Sequence, residues 1–134
     1  MGSTVNINGE IRIDPPVPWL DIRHSEYVRQ PDRKPWEYPH DLMLRVVEQP
    51  IDTAEGTLIR RWADAIVSAE HDEARAYHIE EEIDGIVREV GRGRTFTGRF
   101  EMTCRDYMSQ WRIKVVDGTA VRFDPEIVWP EASS

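Results

Sequence analysis

The chain has 134 residues, of which 40% are apolar and 31% charged, so it is long enough for one core and too apolar for full disorder. Its formal net charge of -8 argues against nonspecific binding to nucleic acid and to anionic membranes, because both require a basic surface. The single cysteine, Cys104, excludes an intrachain disulfide, and no stretch approaches the roughly 20 apolar residues that span a bilayer. We therefore expect a single cytoplasmic domain over residues 1–134.

The first segment alternates apolar and polar residues over 5–13, which predicts a strand with one buried face. The proline-rich run 14–18 is expected to end this strand, because proline has no backbone N–H to donate to the ladder. Pro18 suits the first position of a helix, so a short helix is predicted over 19–24. Trp19 and Leu20 are expected to turn inward, with Ile22 as a further candidate.

Residues 25–40 combine prolines, charged residues and aromatic side chains, and they predict an exposed, irregular loop. A loop of this length in a compact domain is usually either functional or mobile. Its aromatic residues have two interpretations, as a cover over the edge of the sheet or as contacts to a partner. The candidate partner-binding residues are Tyr27, Trp36 and Tyr38.

Residues 42–47 alternate again and predict a second strand, which Pro50 and the turn-forming run 52–56 should end. The next segment, 57–67, fits a helix by the spacing of its apolar residues and fits a strand by its alternation. We favour the strand, because two strand-like runs would then flank a glycine-containing connection.

The most regular pattern lies over 72–90, where apolar residues recur at spacings of three and four and predict an amphipathic helix. The acidic residues between them, including Glu81 and Glu82, are expected to face water. Asp72 suits the N-cap of this helix, and Gly91 suits its C-terminal stop. The apolar positions are Ala76, Ile79, Ile83, Ile86, Val87 and Val90.

Alternation over 95–104 predicts a further strand, and a hairpin with Asp117-Gly118 at its turn follows. A two-residue turn would place Ile113 opposite Arg122 and mix the two faces. A three-residue loop would instead align Ile113 with Val121 and keep the apolar side together. We expect the three-residue loop.

The C-terminal tail begins at Asp124 and contains two prolines, so we expect it to cross the edge of the domain without joining the sheet. Trp129 is expected to be tucked in, and residues 131–134 are expected to be frayed. The sequence contains no internal repeat and no sign of a second domain.

Catalytic and metal chemistry has little support in the sequence. A zinc site needs several converging ligands, whereas only His78 and Glu82 lie one helical turn apart, and Glu82 is expected to face water. Cys104 falls on an apolar strand face, where a thiol is usually inert packing. We therefore predict no catalytic residue, no metal site and no cofactor, and we favour a protein that is not an enzyme.

A group of arginines lies around the end of the predicted helix. Guanidinium groups can clamp an anion, so this cluster is a candidate ligand-binding site. The competing interpretation is that the arginines cap the helix and are otherwise solvated, since the glycines here follow a helix rather than precede one. The residues concerned are Arg88, Arg92, Arg94 and Arg99.

Four motifs punctuate the predicted strands and turns: GEIRIDPP at 9–16, GTL at 56–58, GRTFTG at 93–98 and WRIKVVDG at 111–118. Together they make the chain resemble a family of small uncharacterised proteins from actinobacteria, notably streptomycetes, and from their phages. The resemblance extends over nearly the whole chain. It implies an accessory protein of actinobacterial or phage origin, with no activity to carry over.

These patterns predict an α+β fold, with a mainly antiparallel sheet of five or six strands, one long amphipathic helix packed on one face and a short N-terminal helix. The functional hypothesis is a non-enzymatic protein-interaction module that modulates a host protein or self-associates, and that acts at the loop or at an uncovered sheet face or edge strand. The alternative is binding of a small anion or nucleotide at the arginine cluster, with sequestration or hydrolysis.

Overall fold

The computed structural model describes residues 5–30, 32, 34, 37–69, 78–106 and 108–126. These residues form a six-stranded antiparallel sheet and two helices, which confirms the predicted antiparallel α+β class. The order across the sheet is β2-β3-β1-β4-β5-β6. The strands are β1 (Val5–Pro18), β2 (Leu42–Thr53), β3 (Gly56–Ser68), β4 (Thr95–Cys104), β5 (Ser109–Val116) and β6 (Thr119–Phe123), and the helices are α1 (Trp19–Ile22) and α2 (Ile79–Val90).

The core consists of side chains from alternate positions of the strands together with one side of α2. Ile11, Phe100 and Ile113 lie on three neighbouring strands and are completely buried. Residues two apart on a strand share a face, so alternate positions of each strand point into the core. The apolar faces predicted for 5–13 and 95–104 are therefore confirmed. The α2 members of the same buried cluster are Ile79, Ile83, Ile86 and Val90.

β1 continues through its prolines, so the prediction that residues 14–18 end the strand is wrong. Arg12 pairs with Ala65 and Val17 pairs with Ala63, so the four residues 13–16 lie opposite a single residue of β3. The extra residues form a bulge that contains Pro15 and Pro16. No ladder hydrogen bond to β3 is lost at these prolines, and pairing resumes beyond them.

The segment 57–67 lies within β3, which confirms the strand interpretation. The prediction that β2 ends at Pro50 is wrong. β2 is the edge strand, so it can carry a proline on its unpaired side. β2 and β3 remain paired as far as Thr53 and Gly56, whereas β3 and β1 are last paired at Trp62 and Pro18. Residues 48–53 and 56–61 therefore project beyond β1 as a two-stranded ribbon.

The β5–β6 hairpin has a two-residue turn, so the predicted three-residue loop is wrong. Val116 pairs with Thr119 and Ile113 pairs with Arg122. Asp117 and Gly118 both have positive φ, 52° and 79°, which is the backbone of a type I′ turn and matches the twist of a hairpin.

The mixed face that this register creates is accommodated by a stacking contact. The guanidinium carbon of Arg122 lies 4.6 Å from the centroid of the Trp111 ring, so the arginine covers apolar surface while its charge reaches water at the edge strand.

Both helices are shorter than predicted within the described residues. α1 ends at Ile22, which is buried, whereas Leu20 is 73% exposed and not turned inward. α2 begins at Ile79 and has its C-cap at the predicted Gly91, and the predicted N-cap Asp72 lies outside the described residues. Trp129 and the predicted frayed tail also lie outside them. Nowhere in the described ranges is a helix long and apolar enough to cross a membrane.

Two glycines with positive φ provide a test of the strand packing. Gly98 lies within β4 with φ 102°, and Gly93 lies before β4 with φ 73°. A Cβ atom on Gly98 would lie 2.5 Å from the carbonyl oxygen of Glu10, whereas a Cβ atom on Gly93 would meet nothing within 4 Å. We expect Gly93→Ala to lower the free energy of unfolding by about 1 kcal/mol through backbone strain alone.

Gly98→Ala should cost about 3 kcal/mol, because strain and the clash with the neighbouring strand add. Urea denaturation of both variants measures the difference. Equal losses would contradict the close approach of β1 and β4.

Candidate functional site

The segment after α1 folds into a compact series of turns. The N–H of Arg23 donates to the carbonyl of Trp19 over 2.9 Å, and the N–H of Ser25 donates to the carbonyl of Ile22 over 2.8 Å. The side-chain amide of Gln30 then donates to the carbonyl of Arg23 over 3.3 Å. This last bond closes residues 23–30 into a loop and brings its two ends to one place on the surface.

The loop is fastened to the sheet edge by Tyr27. The N–H of Leu44 in the edge strand β2 donates to the carbonyl of Tyr27 over 2.8 Å, so the loop continues the ladder at that point. The ring of His40 lies between two aromatic rings, 4.7 Å from the centroid of Tyr27 and 5.5 Å from that of Tyr38. The Tyr38 hydroxyl donates to the carbonyl of Leu42. The aromatic residues thus cover the sheet edge.

Glu82 of α2 is buried, which corrects the prediction that it faces water. Its Oε1 accepts the N–H of Leu42 over 3.0 Å, and its Oε2 accepts the N–H of Asp41 over 3.4 Å. Burial raises the pKa of Glu82, and the two backbone hydrogen bonds oppose this rise only in part. The spacing contained the signal, since position 82 lies three residues after Ile79 and four before Ile86, within the apolar stripe.

A first cavity of about 650 Å³, here called the loop cleft, opens beside residues 23–30. The charged and histidine side chains that line it, within the described part of the chain, are two arginines, two histidines and one glutamate. That glutamate, Glu26, lies 3.5 Å from the Nε2 atom of His40. The side chains that matter here are Trp19, Arg23, His24, Glu26, Arg29 and His40.

A second cavity of about 610 Å³, here called the ribbon cleft, lies where the two-stranded ribbon passes α1. Trp19 borders both clefts. The Arg61 guanidinium carbon lies 5.8 Å from the Trp19 ring, and its Nε donates to a carboxylate oxygen of Glu48 over 2.7 Å. The residues that line the ribbon cleft include Pro18, Trp19, Leu20, Ile59, Arg60 and Trp62.

An ion-pair network that the sequence did not reveal lies at the point where β3 separates from β1. Asp64 is the extra residue between Ala63 and Ala65, and its carboxylate accepts hydrogen bonds from Arg45 over 2.8 and 3.2 Å. The same guanidinium donates to both oxygens of Glu10 over 3.1 and 3.0 Å. These side-chain bonds raise the pKa of Arg45 and hold three strands in register at the base of the ribbon.

The predicted arginine cluster is divided between two faces of the sheet. Arg94 caps the helix through Val90 and also donates to the carbonyl of Pro15, each over 3.0 Å. Arg99 alternates with the buried Phe100, so it points away from the core, and it pairs with Glu101 at 3.2 Å.

The other two members, Arg88 and Arg92, are exposed. Anion binding by these four residues stays a prediction.

The predicted partner-binding residues are only partly visible. Tyr27 and Tyr38 are each 7% exposed, so their rings face the interior rather than a partner, and the loop is less exposed than predicted. Burial also raises the pKa of both hydroxyls. Trp36 lies outside the described residues, and a partner-binding role for this group stays a prediction.

Metal coordination has no obvious place in the part of the chain that the structure describes, where no group of three or more potential ligands converges. The sequence pattern of one family, a family of unknown function (DUF6205), matches residues 1–134. The chain belongs to this family. Searches of curated proteins and of solved structures returned no match. The match agrees with the resemblance to an uncharacterised family and does not bear on an actinobacterial or phage origin.

The buried carboxylate predicts a specific pH dependence. Because the pKa of Glu82 is raised on folding, the folded state retains its proton more tightly than the unfolded chain. The contribution of Glu82 to the free energy of unfolding should therefore fall as the pH rises from the ordinary value of 4.5 through the raised pKa. Glu82→Gln should remove this decline.

Denaturation at a series of pH values measures it. Glu81→Gln is the matched control, since Glu81 is one residue away and exposed, and among the described residues its ion-pair partner is the neighbouring His78 at 3.1 Å. Parallel curves for wild type and Glu82→Gln would show that the carboxylate is not desolvated as the structure indicates.

Proposed function

We propose that this protein is a protein-interaction module that binds an extended segment of a partner protein as an added strand along β3, in the ribbon cleft. The observation that carries this proposal is the offset between two neighbouring strands, β1 and β3, whose ends do not coincide. β3 begins at Gly56, but its pairing with β1 starts only at Trp62, so residues 56–61 have β2 alone as a sheet neighbour.

The backbone of this segment supplies the first part of the binding surface. In an antiparallel pair, alternate residues direct their N–H and C=O groups away from the partner strand. Residues 56–61 are exposed, so these groups face solvent at a free edge. A free edge of this kind is a template for strand addition, in which main-chain hydrogen bonds provide affinity.

The side chains around the edge supply the second part. Ile59 is 55% exposed and Leu20 is 73% exposed, and both line the ribbon cleft with Trp19 and Trp62. Apolar side chains grouped on the surface of a cavity are typical of interaction sites. An added strand would place every second side chain into this cleft, so the partner segment should carry apolar residues at alternate positions.

Charge indicates what else the partner segment carries. Arg60 lies in the cleft and forms no ion pair with any residue that the structure describes, whereas Arg61 pairs with Glu48. An acidic side chain in the partner would complement Arg60. The chain itself has a net charge of -8, so two copies repel each other, which favours a different protein as the partner.

The cellular setting in this proposal is taken from the resemblance to a family of actinobacterial and phage proteins. In this proposal the protein is an accessory protein of an actinobacterium or of one of its phages, and it acts in the cytoplasm on a protein of the host. The proposal needs no catalytic residue, because strand addition is a binding event alone.

Selection from a displayed library of random 12-residue peptides tests the proposal. We expect enriched peptides with alternating apolar residues and at least one acidic residue. Amide chemical shifts in the protein should change along residues 56–61 on binding. Ile59→Lys should weaken the binding of the selected peptides by about tenfold or more. A lysine on the edge disfavours strand pairing, and the substitution removes one apolar contact.

Val116→Lys is the matched control, because Val116 is a comparably exposed apolar residue on β5, toward the opposite end of the sheet. Shifts centred elsewhere, or equal loss of binding in both variants, would overturn the proposal. A dimer of the free protein that Ile59→Lys dissociates would assign the edge to a second copy of the chain instead.

A further inference from the structure

We propose that the loop cleft is a binding site for a small organic phosphate, held by Arg23 and Arg29. This inference concerns a different cavity from the ribbon cleft, and neither proposal depends on the other.

The fold brings the two arginines to the same cavity. Arg23 follows the last turn of α1, and the hydrogen bond from the Gln30 side chain to the carbonyl of Arg23 returns the chain to that point seven residues later. Arg29 therefore lies next to the closure, and both arginines line the loop cleft. The hydrogen bond between Leu44 and Tyr27 fixes the intervening residues to β2, so the loop is a built structure.

The charges of the cleft favour an anion. Neither Arg23 nor Arg29 forms an ion pair with a residue in the described part of the chain, although acidic residues exceed basic ones by eight overall, 25 against 17. Among the described residues that line the cleft, the acidic one is Glu26, which lies 3.5 Å from His40, another lining residue. Two guanidinium groups in one cavity of an acidic protein are a local positive site, and guanidinium forks match the oxygens of a phosphate.

The size and the walls of the cleft indicate an organic ligand rather than a bare ion. Its volume of about 650 Å³ lies within the range of about 300–1,000 Å³ that is typical of small-molecule sites. A free phosphate would fill only a small part of it. The indole of Trp19, with Val28 and Pro39, supplies apolar wall for the rest of the ligand.

The sequence drew attention to different arginines, and the two sets give a matched comparison. Arg88 and Arg92 are also exposed and near each other in the chain, but Arg88 lies in the last turn of α2 and Arg92 just after it, and neither is among the residues that line the loop cleft. A ligand attracted by charge alone would respond equally to either pair. A ligand held in the loop cleft would respond only to the first pair.

Isothermal titration calorimetry with ADP, in EDTA and at fixed ionic strength, tests the inference on the full chain. The probes for comparison are inorganic phosphate and adenosine, and we expect both to bind more weakly than ADP. The double variant Arg23→Gln, Arg29→Gln should weaken ADP binding by about tenfold or more, because it removes two charge-assisted contacts. The control Arg88→Gln, Arg92→Gln should change it by about twofold at most, since exposed distant charges are screened.

The following outcomes would contradict the proposed site. No binding of ADP by the wild-type protein, equal effects of the two double variants, or a larger effect of the control would overturn the assignment. Adenosine binding as tightly as ADP would show that the phosphates are not recognised. Thermal denaturation of each variant, with a melting temperature close to that of the wild type, excludes loss of fold as the cause of weaker binding.

Discussion

The carboxylate of Glu82 joins three parts of the structure that would otherwise be separate. It belongs to α2, it accepts the N–H groups of Asp41 and Leu42, and these residues begin the edge strand β2. An edge strand presents unpaired N–H groups, and burying them without acceptors would cost about 1–3 kcal/mol each. Glu82 supplies the acceptor at Leu42, and the carbonyl of Tyr27 supplies the next one at Leu44. One set of hydrogen bonds therefore connects α2, the loop 23–30 and the edge strand β2. The position of the loop cleft depends on these bonds.

The ribbon cleft depends on a different constraint, which is that β1 stops pairing with β3 at Pro18 while β2 and β3 stay paired as far as Thr53 and Gly56. The bulge opposite Asp64 lets β1 pass its prolines, and the network of Glu10, Arg45 and Asp64 secures the strands at that point. Beyond Trp62 the sheet narrows to two strands, because β1 ends at Pro18 and the chain continues as α1. Trp19 consequently borders both clefts, so the two proposed binding sites share a wall without sharing their charged residues.

Local pattern predicted most of the secondary structure because alternation and helical spacing record which side of an element is buried. It placed β3, the apolar faces of β1 and β4, and the end of α2 at Gly91. It failed where a partner element changed the outcome, as with Pro50 on the edge strand. Gly85 is a related case: sequence indicated only a lower helix propensity, whereas a Cβ atom there would lie 2.6 Å from the Tyr27 hydroxyl. For the sites, the arginines chosen from sequence lie around the end of α2, whereas the two that line a cavity lie after α1.

The sequence by itself determined the class of the fold and the apolar faces of β1 and β4, because these follow from periodicity within each segment. The antiparallel character of the sheet was predicted from the short connections between strands. Only the tertiary structure decided the β5–β6 register, the burial of Glu82 and the free edge of β3. The burial of Glu82 and the free edge of β3 depend on contacts between residues far apart in the chain, and the β5–β6 register depends on which of two turns the hairpin forms. The sequence of one segment does not show where the neighbouring strand ends. It also does not show which N–H and C=O groups of that strand still need a hydrogen-bond partner. The positions of both clefts follow from that second kind of information.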